Sequence, residues 1–479
     1  MPREVITVQV GQCGNQIGHR FWELALREHA SVHKPDGGVV EYTDSLASFF
    51  ENWKGSDVLS AGSAVDSLRA RAILIDTEEG VVGASMRSGL GGLFRDGGIV
   101  TDVSGAGNNF GHGFAYYGKK YSSQISCAVR KAAERCESLQ SFFLVGSAGG
   151  GTGSGLGAAT LGLLEEQFPD PFRFVSSVFP SLDEGTDVVT APYNAVLALR
   201  EISENASCVL PVGNDALAGI TGNFLGQSEA SKTGKKASFD RMNNVVARCW
   251  LDLTASMRFE GSLNVDLNDI TTNMIPFPKN KFLVPALAPV QPPQKDVRMH
   301  ARNIDQLFTD VLSPEAQLLA VDIRQPSICL AQAFLVRGGG VSIAEVGRNV
   351  ERLGSNAIQS DMKSALVSCG VFRRPYYLTD AFKIGLCGAS AFGNQGVGGT
   401  SVLGLSNSSG ITSMLYKMRE RFMKLWRRKA HVHHYTEYIE EGSFYEGLEA
   451  LESLIDAYSE ETLGYSTSKE NSQPLRLIA

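Results

Sequence analysis

Long apolar runs are missing from this chain: no uncharged stretch of its 479 residues is long enough to span a bilayer. No secretory leader is visible either, because Met1-Pro2-Arg3-Glu4 leads straight into the strand-like Val5 to Val10. A cytosolic protein without a membrane partner is expected. The eight cysteines are scattered and form no C-x-x-C pair, so neither a zinc site nor a disulfide framework is indicated. Most read as small buried hydrophobes, and only Cys13 stands inside a candidate binding loop. A basic excess is also missing. The formal charge is −7, and no basic stripe is interleaved with aromatics, which argues against nucleic acid as a partner. With 43% hydrophobic and 20% charged residues the composition is globular, and the length calls for two or three packed domains.

Two common nucleotide signatures fail. No lysine follows the glycines of Gly149 to Gly155 as a P-loop requires, and the near miss from Gly113 to Lys119 ends in Lys120 instead of Ser or Thr. The G-x-G-x-x-G spacing, counted from Gly151, needs a glycine where Leu156 stands. What is present is Gly149-Gly150-Gly151-Thr152-Gly153-Ser154-Gly155, between a strand-like run at Phe142 to Val145 and a helix-like one from Leu156 to Phe168. Glycines at such a turn let backbone N–H groups approach an anion, and the helix N-terminus adds partial positive charge. Ser147 and Thr152 add hydroxyls. Val5 to Val10 ends at Gly11, and helical spacing from Gln16 onward makes a second strand-turn-helix. Two such loops at neighbouring ends of a parallel sheet can hold one polyphosphate. Arg71 to Asp76 is a further buried strand that delivers Asp76 and Glu78 to the same edge, where a carboxylate is most simply a magnesium ligand, direct or through water. Ala106 to Gly111 supplies one more loop of amides.

The run GGGTGSG resembles the tubulin signature loop, and paired with Gly11-Gln12-Cys13-Gly14-Asn15-Gln16-Ile17-Gly18 it marks a resemblance to the tubulin family from Val5 to about Leu463. The resemblance implies an α/β fold with three parts. These are a Rossmann-like parallel-sheet GTP-binding domain that includes a core helix (1–259), an α+β intermediate domain (260–404), and a C-terminal helical hairpin with a short non-acidic tail (405–479). It also implies a GTP/GDP and Mg2+ site drawing on Gln12, Cys13, Gln16, Glu78, Asn108, Ser147, Gly150, Gly151, Thr152, Gly153, Asp187, Asn214, Phe239 and Asn243, with Glu78 and Asp76 toward the metal. In the family, the loop matching Ala106 to Gly111 faces the terminal phosphate. Thr186 to Ala195 resembles the ribose loop, although Ala191 stands where many members carry glutamate. Asn214 matches a guanine-contacting asparagine, which adenine cannot satisfy. By the same resemblance Phe239 would stack on the base and Asn243 would hydrogen-bond it, on the helix-like stretch Phe239 to Arg258.

Asn264, Asp266 and Asp269 fit an N-x-D-x-x-D pattern. Spacing of three puts both carboxylates on one face near a helix start, where capping is their ordinary role. In the family this stretch faces the nucleotide of the next subunit, so the resemblance implies a weak GTPase completed in trans by Asp269, with Asp266 beside it. His33 to Ala64 reads as a surface loop apart from an apolar piece at Leu46 to Trp53, and Gly222 to Ser238 as a solvated insertion. Ile411 to Arg428 and Ser443 to Tyr458 read as two long helices, the first basic and the second acidic. His431, His433 and His434 show no metal-ligand spacing, and after Leu463 only Glu470 is acidic. Within the family the resemblance is to the epsilon branch, carried by Phe21 to Ala30, the insertion before Phe239, Arg258 to Asn264, and Lys429 to Tyr435. It implies a cytoplasmic cytoskeletal protein of centrosomes, centrioles or basal bodies, partnered by other tubulin-family subunits and centriolar proteins, in the assembly or maintenance of compound microtubules. A GTP-binding adaptor that neither polymerises nor hydrolyses is the alternative within the family. An NAD-dependent oxidoreductase is disfavoured by the failed glycine spacing.

Overall fold

The computed structural model describes residues 3–32, 41–55, 57–60, 62–181, 188–222, 235–290, 303–321, 327–358, 382–389, 399–459 and 462–463. The first strand, β1 (Glu4–Val10), is buried at every residue. A small antiparallel sheet of β2 (Phe50–Lys54), β3 (Asp57–Val58) and β4 (Ser67–Ala70) follows. The chain then returns through β5 (Ala72–Asp76), β6 (Ile99–Thr101), β7 (Leu139–Ser147), β8 (Phe172–Phe179) and β9 (Cys208–Gly213). β1 and β5 to β9 make one parallel sheet in the order β6-β5-β1-β7-β8-β9. β1, β5 and β9 are buried at every residue, polar Thr7 and Gln9 included, because helices cover both faces.

On one face Ile6, Val8 and Val10 share a core with the helices Gly118–Ala133, Gly157–Gln167 and Ala191–Asn205. Beyond these lie the two hairpin helices, Thr412–Trp426 and Gly442–Ala457, through Met418, Phe422 and Phe444. On the other face Val5 and Val145 pack against the first helix (Gly11–Val32) and the core helix (Lys235–Leu253). The apolar piece expected at Leu46 to Trp53 is buried structure, and Tyr42, in the stretch expected as surface loop, is buried with it. Tyr42, Leu46, Phe49 and Phe50 are buried, and Phe50 sets its ring 5.3 Å from that of Trp22. The ladder partner of Phe50 is Ala70, too far along the chain for local periodicity to reveal.

A second sheet is mixed, in the order β10-β13-β12-β14-β11, from β10 (Gly261–Leu263), β11 (Val284–Ala288), β12 (Cys329–Arg337), β13 (Phe382–Cys387) and β14 (Ser401–Ser408). A buried ion network ties it to the first sheet. Glu28 on the first helix meets Arg258 at 2.5 Å and Arg337 of β12 at 2.6 Å, and Arg337 also meets Asp252 on the core helix at 2.9 Å. The two hairpin helices touch each other, with Arg419 and Glu452 paired at 2.9 Å.

Among the described residues no helix is long and apolar enough to cross a membrane, and no three His, Cys, Asp or Glu gather as a metal site. Cys13, Cys127, Cys136, Cys208, Cys249 and Cys387 carry no disulfide. Most of the expected insertion, 223–234, and the tail from 464 lie outside the described residues.

Candidate nucleotide site

The order of the parallel sheet reverses between β1 and β7, and the crevice at the carboxyl ends of such strands is where open α/β sheets take their ligands. The first helix begins at Gly11 itself, five residues before the expected start at Gln16. Glycines argue against a helix by propensity. Here they are needed by packing, since a Cβ on Gly14 would collide with the Val145 carbonyl of β7. Gln12, Cys13 and Gln16 therefore sit on the first turns of a helix, Gln12 exposed and the other two half-buried. Burial pushes the Cys13 thiol up to about 12, so it stays neutral. Gly11 has φ +72°, and a Cβ there would come within 3.1 Å of the Gly153 nitrogen. The two glycine turns thus touch across the switch point.

The second turn is shorter than expected. Ala148 to Gly150 is irregular, but from Gly151 the backbone is already helical, with Thr152–Leu156 wound as a wide π turn before the α-helix Gly157–Gln167. His112–Tyr117 forms another π turn, and the two pack together. A Cβ on Gly155 would strike the Phe110 carbonyl, and one on Gly151 would lie 2.6 Å from the Asn109 nitrogen. Gly150 differs, because a Cβ there meets nothing within 4 Å. The Thr152 hydroxyl is 2.6 Å from that of Thr77, beyond β5, and the half-buried Ser147 hydroxyl accepts from the Gly149 N–H at 3.3 Å.

The loop before His112 contains Gly107 at φ +58° and Asn108 at φ +53°, a left-handed pair that asparagine tolerates better than most side chains. A residue that the sequence reading left unassigned holds it. Asn194 is fully buried, and its Nδ2 donates to the carbonyls of Asn108 (2.8 Å) and Gly149 (2.9 Å). Its Oδ1 accepts from the Phe110 N–H (3.0 Å) and from the Tyr435 hydroxyl (2.6 Å). Asn109 Nδ2 adds a bond to the His434 carbonyl at 2.7 Å. The loop at Asn108 and the turn at Gly149 are therefore backed by the start of the helix Ala191–Asn205 and by the segment between the hairpin helices. The signal in the sequence was an amide in the first turn of a helix, just before the apolar run Ala195 to Leu199.

Asp76 is 5% exposed. Burial raises its carboxyl to about 6, against the pull of the Glu78 and Thr77 amides that bond to it. Glu78 is exposed and lies against Gly105, where a Cβ would collide with its Oε1. These are hard oxygen donors of the kind magnesium takes, and that ion needs only one or two carboxylates when phosphates and water fill the rest of its shell. The residues fit it, with Glu78 the accessible one.

Toward the expected base, Asn214 opens the helix Asn214–Gly222 at the carboxyl end of β9 and is half-buried. That helix packs on the core helix, where Phe239 is 49% exposed and Asn243 is buried with its Nδ2 3.5 Å from Gln16 Oε1. The fold thus brings Asn243 and Gln16 together. Asp187 lies outside the described residues.

Asp266 and Asp269 stand at the other end of the sheet. Asp266 is the N-cap of the helix Leu267–Met274 and forms a capping box with Asp269: each carboxylate accepts from the other's backbone N–H, at 2.7 and 3.2 Å. Asp266 also accepts from Gln140 at 3.0 Å and pairs with Arg3 at 2.6 Å. Gln140 lies near the start of β7 and Ser147 ends it, and seven residues of strand span about 23 Å. Asp269 is 38% exposed and 3.3 Å from Lys383. Partial burial works against its ionised form, but the Asp266 amide and Lys383 prevail and hold the carboxyl below its usual range.

Touching glycine turns at the switch point of a parallel sheet, with a second mixed sheet behind a core helix, define a nucleotide-binding protein of the tubulin class. Residues 4–222 match the Tubulin/FtsZ family GTPase domain and residues 278–420 match the tubulin C-terminal domain, and the chain belongs to the tubulin family. It is 42% identical to the tubulin epsilon chain of Mus musculus and 41% identical to that of Homo sapiens, over 95% of this chain and of each relative. Identity to the tubulin beta-8 chain of Oryza sativa subsp. japonica is 32%, over 96% of this chain and 95% of that one. The chain is thus epsilon-like, and it carries the GTP-binding domain of the family.

Proposed function

We propose that this protein is a GTP-binding cytoskeletal subunit that works with other tubulin-family subunits and centriolar proteins at the centrosome, centriole or basal body, in assembling or maintaining compound microtubules. The observation that carries the nucleotide part is the contact between Gly11 and Gly153 at the switch point. In this reading Gln12, Cys13, Ser147, Gly150, Thr152 and Asn108 surround the phosphates, while Gln16, Asn214, Phe239 and Asn243 take the base. Glu78 would hold Mg2+, whose charge offsets that of the phosphates. The three-part division at 259 and 404 belongs to the same proposal. Purified protein should release one guanine nucleotide per chain on denaturation, read by chromatography; NAD, or no nucleotide, would overturn the reading. A tagged copy in ciliated cells should concentrate at centrioles, and a uniform cytoplasmic signal would overturn that part.

Hydrolysis, in this reading, is weak and completed in trans. Asp269 stands about 23 Å along the sheet from its own glycine turns, so only a neighbouring subunit's nucleotide is within its reach. One observation favours the non-hydrolysing adaptor instead: within the single chain both Asp269 oxygens are already engaged, by the Asp266 N–H and by Lys383. Single-turnover rates in an assembly decide between the two.

A further inference from the structure

Lys417, Arg421, Lys424 and Arg428 follow one another at spacings of four, three and four along the hairpin helix Thr412–Trp426 and the turn just past it. At 100° per residue the four lie within about 60° of one another, in a stripe about 16 Å long. Lys417, Lys424 and Arg428 are exposed and Arg421 is half-buried. The opposite face of the helix, with Met418 and Phe422, is buried in the core, so the stripe is carried on a fixed scaffold. Among the described residues only Lys424 has a carboxylate partner, Glu420 of the same helix. The nearby acidic helix does not neutralise the stripe. Its Glu452 is paired with Arg419 and its Glu446 with Arg200, neither of which belongs to the four. Lys417 with Arg421, and Lys424 with Arg428, are like charges at i,i+4, which weakens a helix that serves only to be solvated.

We propose that this stripe is the docking surface for an acidic peptide segment of a partner protein. Charge complementarity identifies the occupant. Carboxylates along an extended segment meet four cations on one face, and no aromatic residue lies on the stripe to stack a nucleobase. A chain of net charge −7 also repels a long polyphosphate while leaving a local cationic ridge open to a short acidic segment.

The test uses fluorescence anisotropy of the full chain with a labelled peptide of about six consecutive glutamates, long enough to span the stripe. A glutamine peptide of the same length and a short DNA duplex serve as comparisons. The glutamate peptide should bind and weaken as salt rises, and the glutamine peptide should not bind. Reversing two charges, Lys417→Glu with Arg421→Glu, should weaken binding at least about tenfold, whereas Lys131→Glu on the exposed side of Gly118–Ala133 should leave it unchanged. If the reversed protein fails to fold by circular dichroism, Lys417→Gln with Arg421→Gln replaces it, with an expected loss of at least about threefold. Binding that is equal in parent and stripe variants overturns the proposal. So does tighter, stripe-dependent binding of the DNA, which would make the surface a nucleic-acid site.

Discussion

Removing the side chain of Asn194 tests whether the nucleotide turns are held from behind. The Asn194→Ala variant deletes four hydrogen bonds and strips partners from two carbonyls, one amide and one hydroxyl in a fully buried place. At about 1 kcal/mol net per bond the loss is about 4 kcal/mol, and a water entering the space re-satisfies part of it, leaving about 2–4 kcal/mol. That is a large share of a total stability of about 5–15 kcal/mol. For about 3 kcal/mol the melting temperature should fall by about 6 °C or more in a scanning thermal melt. Because Asn108 and Gly149 are the released carbonyls, guanine nucleotide should also dissociate faster. The isosteric Asn194→Asp keeps the Oδ1 acceptor of two bonds but turns a second carboxylate oxygen toward the Asn108 and Gly149 carbonyls, so at neutral pH it should be at least as damaging. Such a carboxyl would titrate above its unfolded value of about 3.9, so the extra damage should fade as the pH falls toward that value. Tyr435→Phe removes one of the four bonds and should couple to Asn194→Ala by about 1 kcal/mol in a double-mutant cycle. If Asn194→Ala melts within about 0.5 kcal/mol of the parent and releases nucleotide at the same rate, the backing role is wrong.

Glu28→Ala leaves Arg258 buried without a carboxylate and Arg337 with Asp252 alone, and urea denaturation should register a loss of about 3–5 kcal/mol. Burial works against the Glu28 carboxylate, but Arg337 and Arg258 hold its carboxyl below the usual range. Its contribution is therefore complete above the unfolded glutamate value of about 4.3 and is lost as pH falls through the folded one, so the parent's stability should fall more steeply in acid than that of Glu28→Gln. The glycines make opposite predictions. Gly150→Val has room for its side chain and should melt like the parent while losing nucleotide, whereas Gly151→Val, forced onto the Asn109 nitrogen, should lose both; identical melts for the two would contradict this. Asp269→Ala should remove any assembly-stimulated single-turnover hydrolysis without changing this chain's own GTP affinity, and should cost the helix Leu267–Met274 about 1 kcal/mol as half of its capping box. Equal rates in the two assemblies would leave capping as the residue's only role.

Where chemistry is local, the sequence already spoke. Gly11 and Gly149 to Gly155 disclosed two strand-turn-helix units, because period and glycine placement act over a few residues, and the parallel sheet they imply is present. Helix starts were harder. Propensity places the first helix after its glycines, while packing against Val145 places it at Gly11. Tyr42 read as part of a surface loop, yet it is buried and its hydroxyl donates to the Phe50 carbonyl, a contact that no local period discloses. Asn194 escaped because all four of its bonds, to Asn108, Phe110, Gly149 and Tyr435, go to residues distant along the chain. The hairpin was legible as one basic and one acidic helix, and Arg419 and Glu452 pair across it.

The bonds from Asn194 to Tyr435 and from Asn109 to His434 join residues 241 and 325 positions apart. Their order of manufacture follows from that. As the chain leaves the ribosome, both glycine turns and the whole parallel sheet emerge long before the segment that braces them, and contacts of such long range form late. A nascent or truncated chain that stops short of Tyr435 therefore has its phosphate loops without their support. A chain cut before Tyr435 should hold guanine nucleotide less tightly than the full chain does.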